Sequence, residues 1–393
     1  MGKTGLDPSR TDDLCRAVRA ALKDCADPSA VIGLQLGKDR IVHALGDAHP
    51  VPPDARIFRI ASLTKPITGV AALTLIEDGT IALEDPIDRW LPELNECRVL
   101  TRPDAPLGQT EPASRSITVH DLLTCRMGTG LLVGAEETPI AQAMAEAHVN
   151  VGATHPRQMD SDTWIAALGQ LPLIHQPGTV WMYDTSIEVL GVLMERASGL
   201  SLAGLFAERV FGPLRMEDTG FWVPETKLWR LGPCYGRGEA GECTILDPAG
   251  SESDLRHPPG FESAAEGLVS SPADYMTFAS MMLNRGRHGS QRLLSEATYA
   301  EMTRDHIAEE QKFVSRFWPG FWSTHGWGYC VAIQHGSKAD DPKGIGWIGG
   351  LGTACTWDHE TGLISLLMTQ QRFDESSFAL LRTFWRESRR LVS

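Results

Sequence analysis

The sequence predicts an α/β fold of the mixed α+β type, in which an antiparallel sheet is flanked by helices and interrupted by a large helical insertion. Short β-type runs occur near the N-terminus and again in the last hundred residues, whereas the pattern over 118–215 is mainly helical. The 393 residues are enough to bury a substantial core in one large or two moderate domains. We therefore expect one sheet built from both ends of the chain.

The N-terminal part predicts a helix, a hairpin and a second helix. The apolar face of the first helix consists of Leu14, Val18 and Leu22. The β-type runs 31–36 and 41–44 flank the turn signal Gly-Lys-Asp-Arg at 37–40. A buried strand or turn at 57–60 then leads into an apolar helix, which Gly79 closes.

The middle of the chain predicts helices followed by an irregular loop. Residues 185–198 carry a clear apolar stripe, and Gly199 ends that helix. Residues 232–262 are rich in glycine, proline and charge, which is typical of irregular structure.

The C-terminal part predicts a return to the sheet. A helix over 271–284 has Pro272 in its first turn. Three strands follow at 329–334, 352–357 and 363–369. The turn at 358–362 makes the last two strands a hairpin, and a helix over 376–391 ends the chain. We expect residues 1–80 and 255–393 to form a sheet domain and 81–254 a mainly helical insertion, with the active site between them.

Composition and charge exclude several classes of function. A net charge of -14 argues against a nucleic-acid partner, which needs a basic patch. No apolar run is long enough to span a membrane, and the first thirty residues lack the apolar segment of a signal peptide, so we expect a cytoplasmic protein without a membrane partner. The eight cysteines show no Cys-x-x-Cys spacing and are expected to be free thiols.

The sequence contains near matches to cofactor and catalytic motifs, but each lacks the structural context that the motif requires. Residues 344–349 match the dinucleotide fingerprint G-x-G-x-x-G, but a β-rich run follows them where a helix is needed. Ser201 lies in a near match to a nucleophile elbow, but it follows a helix and is interpreted as a helix cap. The twelve histidines show no metal-ligand spacing. We expect neither a cofactor nor a metal.

The most informative stretch is 58–66, in which Ser62 precedes Lys65 by three residues at the predicted start of a helix. Residues at this spacing share one helix face, so the amine can accept the hydroxyl's proton if its own pKa is lowered. Taken alone, the pair favours the simpler interpretation of an N-capping or exposed serine beside a solvated lysine. Its position between a buried strand and a buried helix favours the catalytic interpretation.

Two later stretches supply what a serine–lysine pair lacks. Tyr183 precedes the helix at 185–198 and is a candidate phenolate base if lysine lowers its pKa, although a packing role is common for tyrosine. Trp347 and the glycines that follow lie at a strand edge, where backbone amides can bind an oxyanion. A simple glycine-rich turn is the alternative for that segment.

In this order, the three stretches resemble the serine-active β-lactamase and penicillin-binding-protein superfamily, and within it the family VIII carboxylesterases, which are similar to class C β-lactamases. Residues 58–66 resemble the nucleophile motif almost letter for letter. Residues 183–185 (Tyr-Asp-Thr) occupy the Tyr-x-Asn position, and 347–349 (Trp-Ile-Gly) fit the esterase Trp-x-Gly. The likeness covers nearly the whole chain and implies a β-lactamase-like fold.

The resemblance also implies a role for each residue. Ser62 would be the nucleophile, and Lys65 and Tyr183 would share its proton. The backbone amides of Ser62 and Gly350 would form the oxyanion hole, and Trp347 would line the acyl or alcohol pocket. The substrate-binding residues would be Trp347, Gly349, Asp184 and Thr185. Hydrolysis would proceed through a covalent acyl-serine.

Departures from the lactamase pattern indicate the substrate. Thr185 replaces the asparagine of Tyr-x-Asn, and Trp347 replaces the lysine of Lys-Thr-Gly; Lys343 lies four residues too early. A lactam carboxylate would lose its cationic partner, which favours neutral, apolar esters. Cys125 and Arg126 stand where relatives often carry His-Thr, without an assigned role.

We therefore expect a serine carboxylesterase that cleaves short-chain esters through Ser62. An acyltransferase, a D-amino-acid amidase or peptidase, and a weak β-lactamase stay open on the same fold, and a non-catalytic relative is the remaining alternative. The expected partner is a small-molecule ester, and assembly into a homo-oligomer is left open.

Overall fold

The computed structural model describes residues 5–46, 50–150, 159–238, 240–336, 341 and 343–392. Its strands are β1 (Ala30–Leu36), β2 (Asp39–Leu45), β3 (Phe58–Arg59), β4 (Arg98–Leu100), β5 (Thr110–Pro112), β6 (Cys234–Arg237), β7 (Cys243–Asp247), β8 (Val269–Ser270), β9 (Arg287–His288), β10 (Gln291–Arg292), β11 (His325–Trp327), β12 (Ala332–His335), β13 (Lys343–Gly349), β14 (Thr353–Asp358) and β15 (Leu363–Met368).

Helices occupy most of the chain between the two groups of sheet strands. Within the described ranges they are α1 (Pro8–Ala21), α2 (Thr64–Glu77), α3 (Val119–Leu123), α4 (Pro139–Glu146), α5 (Ser161–Gly169), α6 (Thr185–Ser198), α7 (Leu202–Phe206), α8 (Gly212–Leu214), α9 (Pro272–Leu283), α10 (Glu296–Met302), α11 (Glu309–Val314), α12 (Phe321–Thr324) and α13 (Glu375–Arg390).

One antiparallel sheet joins both ends of the chain. Its seven strands lie in the order β11-β12-β13-β14-β15-β1-β2. The C-terminal strand β15 pairs with the N-terminal strand β1, with Val31 opposite Met368. This arrangement confirms the predicted fold class.

Helices cover both faces of the sheet. Helix α9 packs against β1, β14 and β15, whereas α1 and α13 pack on each other and contact β2 and β15. All six residues of β15 are buried as a result. Such a strand reads as a continuous apolar run because it has no solvent face.

Two strands differ from the sequence prediction over 232–262. Strands β6 and β7 form a hairpin there. The hairpin pairs with the segment that follows β15: Tyr235 N donates to Gln370 O at 2.7 Å, and Arg372 N donates to Tyr235 O at 2.8 Å. The polar composition concealed this hairpin because part of it faces solvent. The domain limits at 80, 81, 254 and 255 stay a prediction.

Strand β13 explains the rejected fingerprint at 344–349. Gly346 has φ +152°, and a Cβ there would lie 2.0 Å from Cys355 O on the neighbouring strand. Glycine therefore permits the close approach of β13 to β14. A strand and not a helix follows, in agreement with the exclusion of dinucleotide binding.

In the described residues, no single helix is both long and apolar enough to cross a membrane, and only the pair Thr185–Ser198 and Leu202–Leu214, bent by 81°, satisfies length and composition together.

The eight cysteines are free thiols, as predicted.

Candidate active site

Ser62 lies in a tight turn between a short strand and a buried helix. Strand β3 pairs with β8, the 3₁₀ turn Ala61–Leu63 follows, and Thr64 begins α2. Ala61 has φ +45°, which is unfavourable for a residue with a side chain. Backbone strain of this kind persists where the surroundings over-determine a conformation, and it clusters at functional sites.

Contacts from the 268–275 segment fix this turn. Tyr275 donates its hydroxyl hydrogen to Leu63 O at 2.9 Å, and Leu268 N donates to Thr64 Oγ1 at 3.2 Å. The turn is thus held from the side of α9, and the Ser62 hydroxyl has a defined position.

Lys65 is fully buried beside Ser62. Its Nζ lies 2.8 Å from Ser62 Oγ and donates to Ala265 O at 3.0 Å. It also forms an ion pair with the Asp184 carboxylate, in which both side chains are buried. The predicted serine–lysine contact is therefore present in the structure.

The charge state of Lys65 differs from the sequence expectation. Burial opposes the ammonium charge, but the nearby carboxylates of Asp184 and Glu266 outweigh it and raise the pKa of Lys65. The sequence argument required a lowered pKa. Since Asp184 compensates the charge, Lys65 rests as an ammonium group.

Tyr183 lies directly above Lys65. The Lys65 Nζ is 4.4 Å from the centre of the tyrosine ring. Leu131 N donates to Tyr183 O at 2.9 Å, and Trp347 Nε1 donates to the Tyr183 hydroxyl at 2.6 Å. The structure therefore brings Tyr183 and Trp347 to the Ser62–Lys65 pair, although the three stretches are distant in sequence.

The phenol of Tyr183 is neutral at rest. Burial raises its pKa to about 12, although Lys65 acts in the opposite direction. The condition under which Tyr183 would rest as a phenolate base is therefore not met, because desolvation of the phenolate exceeds the attraction of one cation.

The end of β13 approaches the Ser62 turn closely. A Cβ at Gly349 would lie 2.2 Å from Ile60 O, and Thr353 Oγ1 donates to the same oxygen at 2.8 Å. A Cβ at Gly350, by contrast, would meet no other atom within 4 Å. The position suits an oxyanion donor beside Ser62, a role that stays a prediction.

Trp347 packs against Tyr183, with the two ring centres 5.6 Å apart, and is only 1% exposed. Its indole nitrogen supports the phenol through the hydrogen bond described above. The sequence indicated a pocket wall and gave no signal for this contact, since nothing in the pattern links 347 to 183.

Asp184 and Thr185 are both buried, with 1% exposure each. Asp184 has φ +83° at the entrance to α6, and its side chain makes no capping hydrogen bond. Its carboxylate is directed to Lys65 instead of to the first turn of α6. The predicted contacts of these two residues with substrate stay untested, and their burial places neither on an open surface.

Cys125 and Arg126 have structural contacts. Burial raises the pKa of the Cys125 thiol to about 12, so it is no thiolate nucleophile. Arg126 Nη1 donates to Gln311 Oε1 at 3.1 Å, which ties α3 to the start of α11.

An aromatic wall beside Tyr183 was missed by sequence reasoning; it consists of Trp181, Phe317, Trp318, Phe321 and Trp327. The ring centres of Phe317 and Tyr183 are 4.9 Å apart, and those of Trp318 and Trp347 are 5.8 Å apart. Four aromatic residues between 317 and 322 were the available signal.

Three carboxylates form the candidate cation cluster of the described residues: Asp184, Glu188 and Glu266 approach one another within 4.8 Å. Ser263 donates to Glu188 Oε1 at 2.7 Å. The Lys65 ammonium already contacts Asp184, so a side-chain cation compensates charge here without an ion.

Comparison with known proteins places this site in a family. The model of the family described as Beta-lactamase matches residues 16–389. Protein Rv1367c of Mycobacterium tuberculosis is 36% identical over 331 residues, which cover 80% of this chain and 77% of that protein. Esterase EstB of Burkholderia gladioli is 29% identical over 346 residues, covering 82% and 79%.

A solved structure shares the fold across its length. EstCE1, described as a hydrolase with promiscuous acyltransferase activity, superposes with a TM-score of 0.77 at 19% identity, covering 96% of this chain and 98% of that one. The chain belongs to the Beta-lactamase family and has its fold, and the family includes serine hydrolases that act as esterases.

Proposed function

We propose that this member of the Beta-lactamase family is a serine esterase that cleaves short-chain, neutral carboxylic esters through an acyl-Ser62 intermediate. The observation that carries the proposal is the 2.8 Å contact of Ser62 Oγ with Lys65 Nζ, which itself lies 4.4 Å from the centre of the Tyr183 ring. A nucleophilic hydroxyl with two proton-carrying partners is the minimum that acyl transfer to serine requires.

The electrostatics around the site favour a neutral substrate. Trp347 occupies the position at which lactamases carry a lysine, and it faces Tyr183. Lys343 lies at the opposite end of β13 and pairs with Glu360. A substrate carboxylate near Gly349 would therefore gain no cation from β13.

The aromatic wall favours an apolar acyl or alcohol group. Phe317 and Trp318 are partly buried and flank Tyr183 and Trp347. Apolar side chains around a few polar groups are typical of small-molecule sites. Each methylene that the wall removes from water contributes about 0.8 kcal/mol.

In the proposed reaction, Ser62 Oγ attacks the ester carbonyl. The amides of Ser62 and Gly350 bind the developing oxyanion, and such donors lower a barrier by about 3 kcal/mol each. The alcohol departs, and water hydrolyses the acyl-serine.

Replacement of Ser62 tests the proposal. Ser62→Ala should abolish hydrolysis of p-nitrophenyl acetate and the acyl adduct detected by intact mass. Ser201→Ala is the matched control: Ser201 caps α7 through Gly204 N and should cost only about 1 kcal/mol of stability. Retained hydrolysis or labelling in Ser62→Ala would discard the assignment.

Acyl transfer is the second candidate function, supported by the fold shared with EstCE1, whose description includes promiscuous acyltransferase activity. Adding an alcohol acceptor to the esterase assay separates the two reactions. A new ester formed at the expense of free acid would assign transfer, whereas unchanged acid release would assign hydrolysis.

A further inference from the structure

Neither Lys65 nor Tyr183 is deprotonated at rest, so neither stands ready to accept the Ser62 proton. Lys65 carries its full complement of protons at rest, and the Tyr183 phenol is neutral. An attack by Ser62 still has to deliver one proton to a base. The group that receives it must be anionic and connected to Ser62 by hydrogen-bonding atoms.

Asp184 satisfies both conditions. Its carboxylate forms the ion pair with Lys65 Nζ, and the same nitrogen lies 2.8 Å from Ser62 Oγ. Apart from that ion pair, neither carboxylate oxygen has a hydrogen-bond partner in the described residues. Asp184 also holds φ +83°, a strained backbone conformation that aims its side chain at Lys65 instead of capping α6.

We propose that Asp184 is a positioning residue that takes up the proton of Ser62 through Lys65, which makes Lys65 a relay rather than the final base. The inference rests on the proposed esterase function of Ser62. Nothing in the resemblance of the chain to its family assigned this role to Asp184.

The proton path balances. As Ser62 Oγ forms a bond to the carbonyl carbon, Lys65 Nζ releases one of its protons to Asp184 and takes up the hydrogen of Ser62 in its place. The carbonyl π electrons move to the oxygen, which becomes the oxyanion. When the bond to the alcohol oxygen breaks, Tyr183 protonates that oxygen, Lys65 reprotonates Tyr183, and Asp184 returns its proton to Lys65.

Charged and titratable groups face Asp184 from several elements. Lys65 approaches from α2, and Tyr183 and Glu188 flank Asp184 on its own segment. Glu266 approaches from the loop before β8, and Cys125 from the end of α3. Of these groups, Lys65 alone contacts both Asp184 and Ser62, so it is the group that can connect them.

The pH dependence of Asp184→Asn tests the relay. In the wild-type enzyme, kcat/KM for p-nitrophenyl acetate should fall only in the acid range. Without the carboxylate, Lys65 has to lose a proton to water before it can serve as base. The acid limb should therefore move to higher pH, with at least a tenfold loss of kcat/KM at pH 6 and recovery at alkaline pH.

Two variants separate this role from a structural one. Asp184→Glu should restore the acid-range activity, at least in part. Asp121→Asn is the matched control, since Asp121 is a buried aspartate that pairs with Arg115 outside the site, and it should leave the limb in place. A uniform loss in Asp184→Asn without movement of the limb, or an unchanged profile, would overturn the proposal.

A proton inventory on the wild-type enzyme tests the relay without any variant. Because two protons move in the attack step, a plot of the acylation rate against the deuterium fraction of the solvent should be curved. A straight line would mean one moving proton and would overturn the relay. If the wild-type enzyme forms no acyl-Ser62, the proposed function fails; if it does and the line is straight, only the relay fails.

Discussion

The indole nitrogen of Trp347 donates a 2.6 Å hydrogen bond to the phenolic oxygen of Tyr183. This bond connects strand β13 to the segment before α6, and because the phenol oxygen accepts it, the hydroxyl hydrogen of Tyr183 is left to donate to another group. A donor at the phenol oxygen also stabilises any negative charge that develops there. Trp347 thus influences the reaction through its hydrogen bond to Tyr183.

Trp347→Phe tests that connection. Removing one hydrogen bond of this kind should cost about 1 kcal/mol, or five- to tenfold in kcat, while the packing of the ring is kept. Steady-state kinetics on p-nitrophenyl acetate measures the effect. A change in KM with unchanged kcat would instead assign Trp347 to the pocket wall that the sequence predicted.

Tyr183→Phe removes the hydroxyl itself. We expect a loss of about a hundredfold or more in kcat/KM, because the leaving alcohol loses its proton donor and the Trp347 nitrogen loses its acceptor. Intact mass after mixing with ester shows which half-reaction slows. An enzyme that keeps wild-type turnover would exclude Tyr183 from the proton path.

The neighbouring glycines 349 and 350 offer a matched pair. Gly349→Ala places a Cβ 2.2 Å from Ile60 O and should destabilise the fold by about 1–3 kcal/mol, with loss of activity. Gly350→Ala meets open space and keeps its amide, so the free energy of unfolding should stay within about 0.5 kcal/mol of wild type. Urea unfolding of both variants decides this, and equal destabilisation would contradict the close approach.

The sequence predicted the parts of the molecule that local patterns encode. Strands β1, β14 and β15 and helix α6 were visible because apolar periodicity and turn residues mark them. The positions of Ser62, Lys65 and Tyr183 followed from the resemblance to a family. Their protonation did not, because it depends on Asp184, whose contact with Lys65 joins α2 to the start of α6. The hairpin β6–β7 and the aromatic wall were not predicted from the sequence for the same reason, because tertiary contacts define them.

The aromatic wall should set the preference for acyl chains. Phe317→Ala should lower kcat/KM for p-nitrophenyl hexanoate about tenfold relative to the acetate, because the longer chain loses apolar contact at about 0.8 kcal/mol per methylene. Trp229→Ala removes a 63% exposed aromatic ring as the control and should change neither ester. An equal loss for both esters would show that Phe317 supports Tyr183 and does not contact the acyl chain.

Stability should depend on pH through Asp274, a buried carboxylate in the first turn of α9. Burial raises its pKa to about 6 from an ordinary value of 3.8, even though Asp218 N and Thr219 Oγ1 donate to it at 2.7 and 2.9 Å. The folded protein therefore binds this proton more tightly than the unfolded chain does. Its stabilising contribution is complete below about pH 4 and is lost as pH rises through 6, by up to about 3 kcal/mol.

Asp274→Asn removes this dependence. Between pH 4 and pH 7, the variant should become more stable relative to wild type, because wild type loses the contribution of Asp274 over this range. Urea unfolding at each pH measures the difference. Asp121→Asn should show no such change over this range: burial works against the charge of Asp121, but Arg115 and Thr118 prevail and lower its pKa, so its contribution is lost only as pH falls below about 4. A constant difference for Asp274→Asn would mean that the carboxylate stays ionised throughout, since only a proton bound in the folded state can produce the slope.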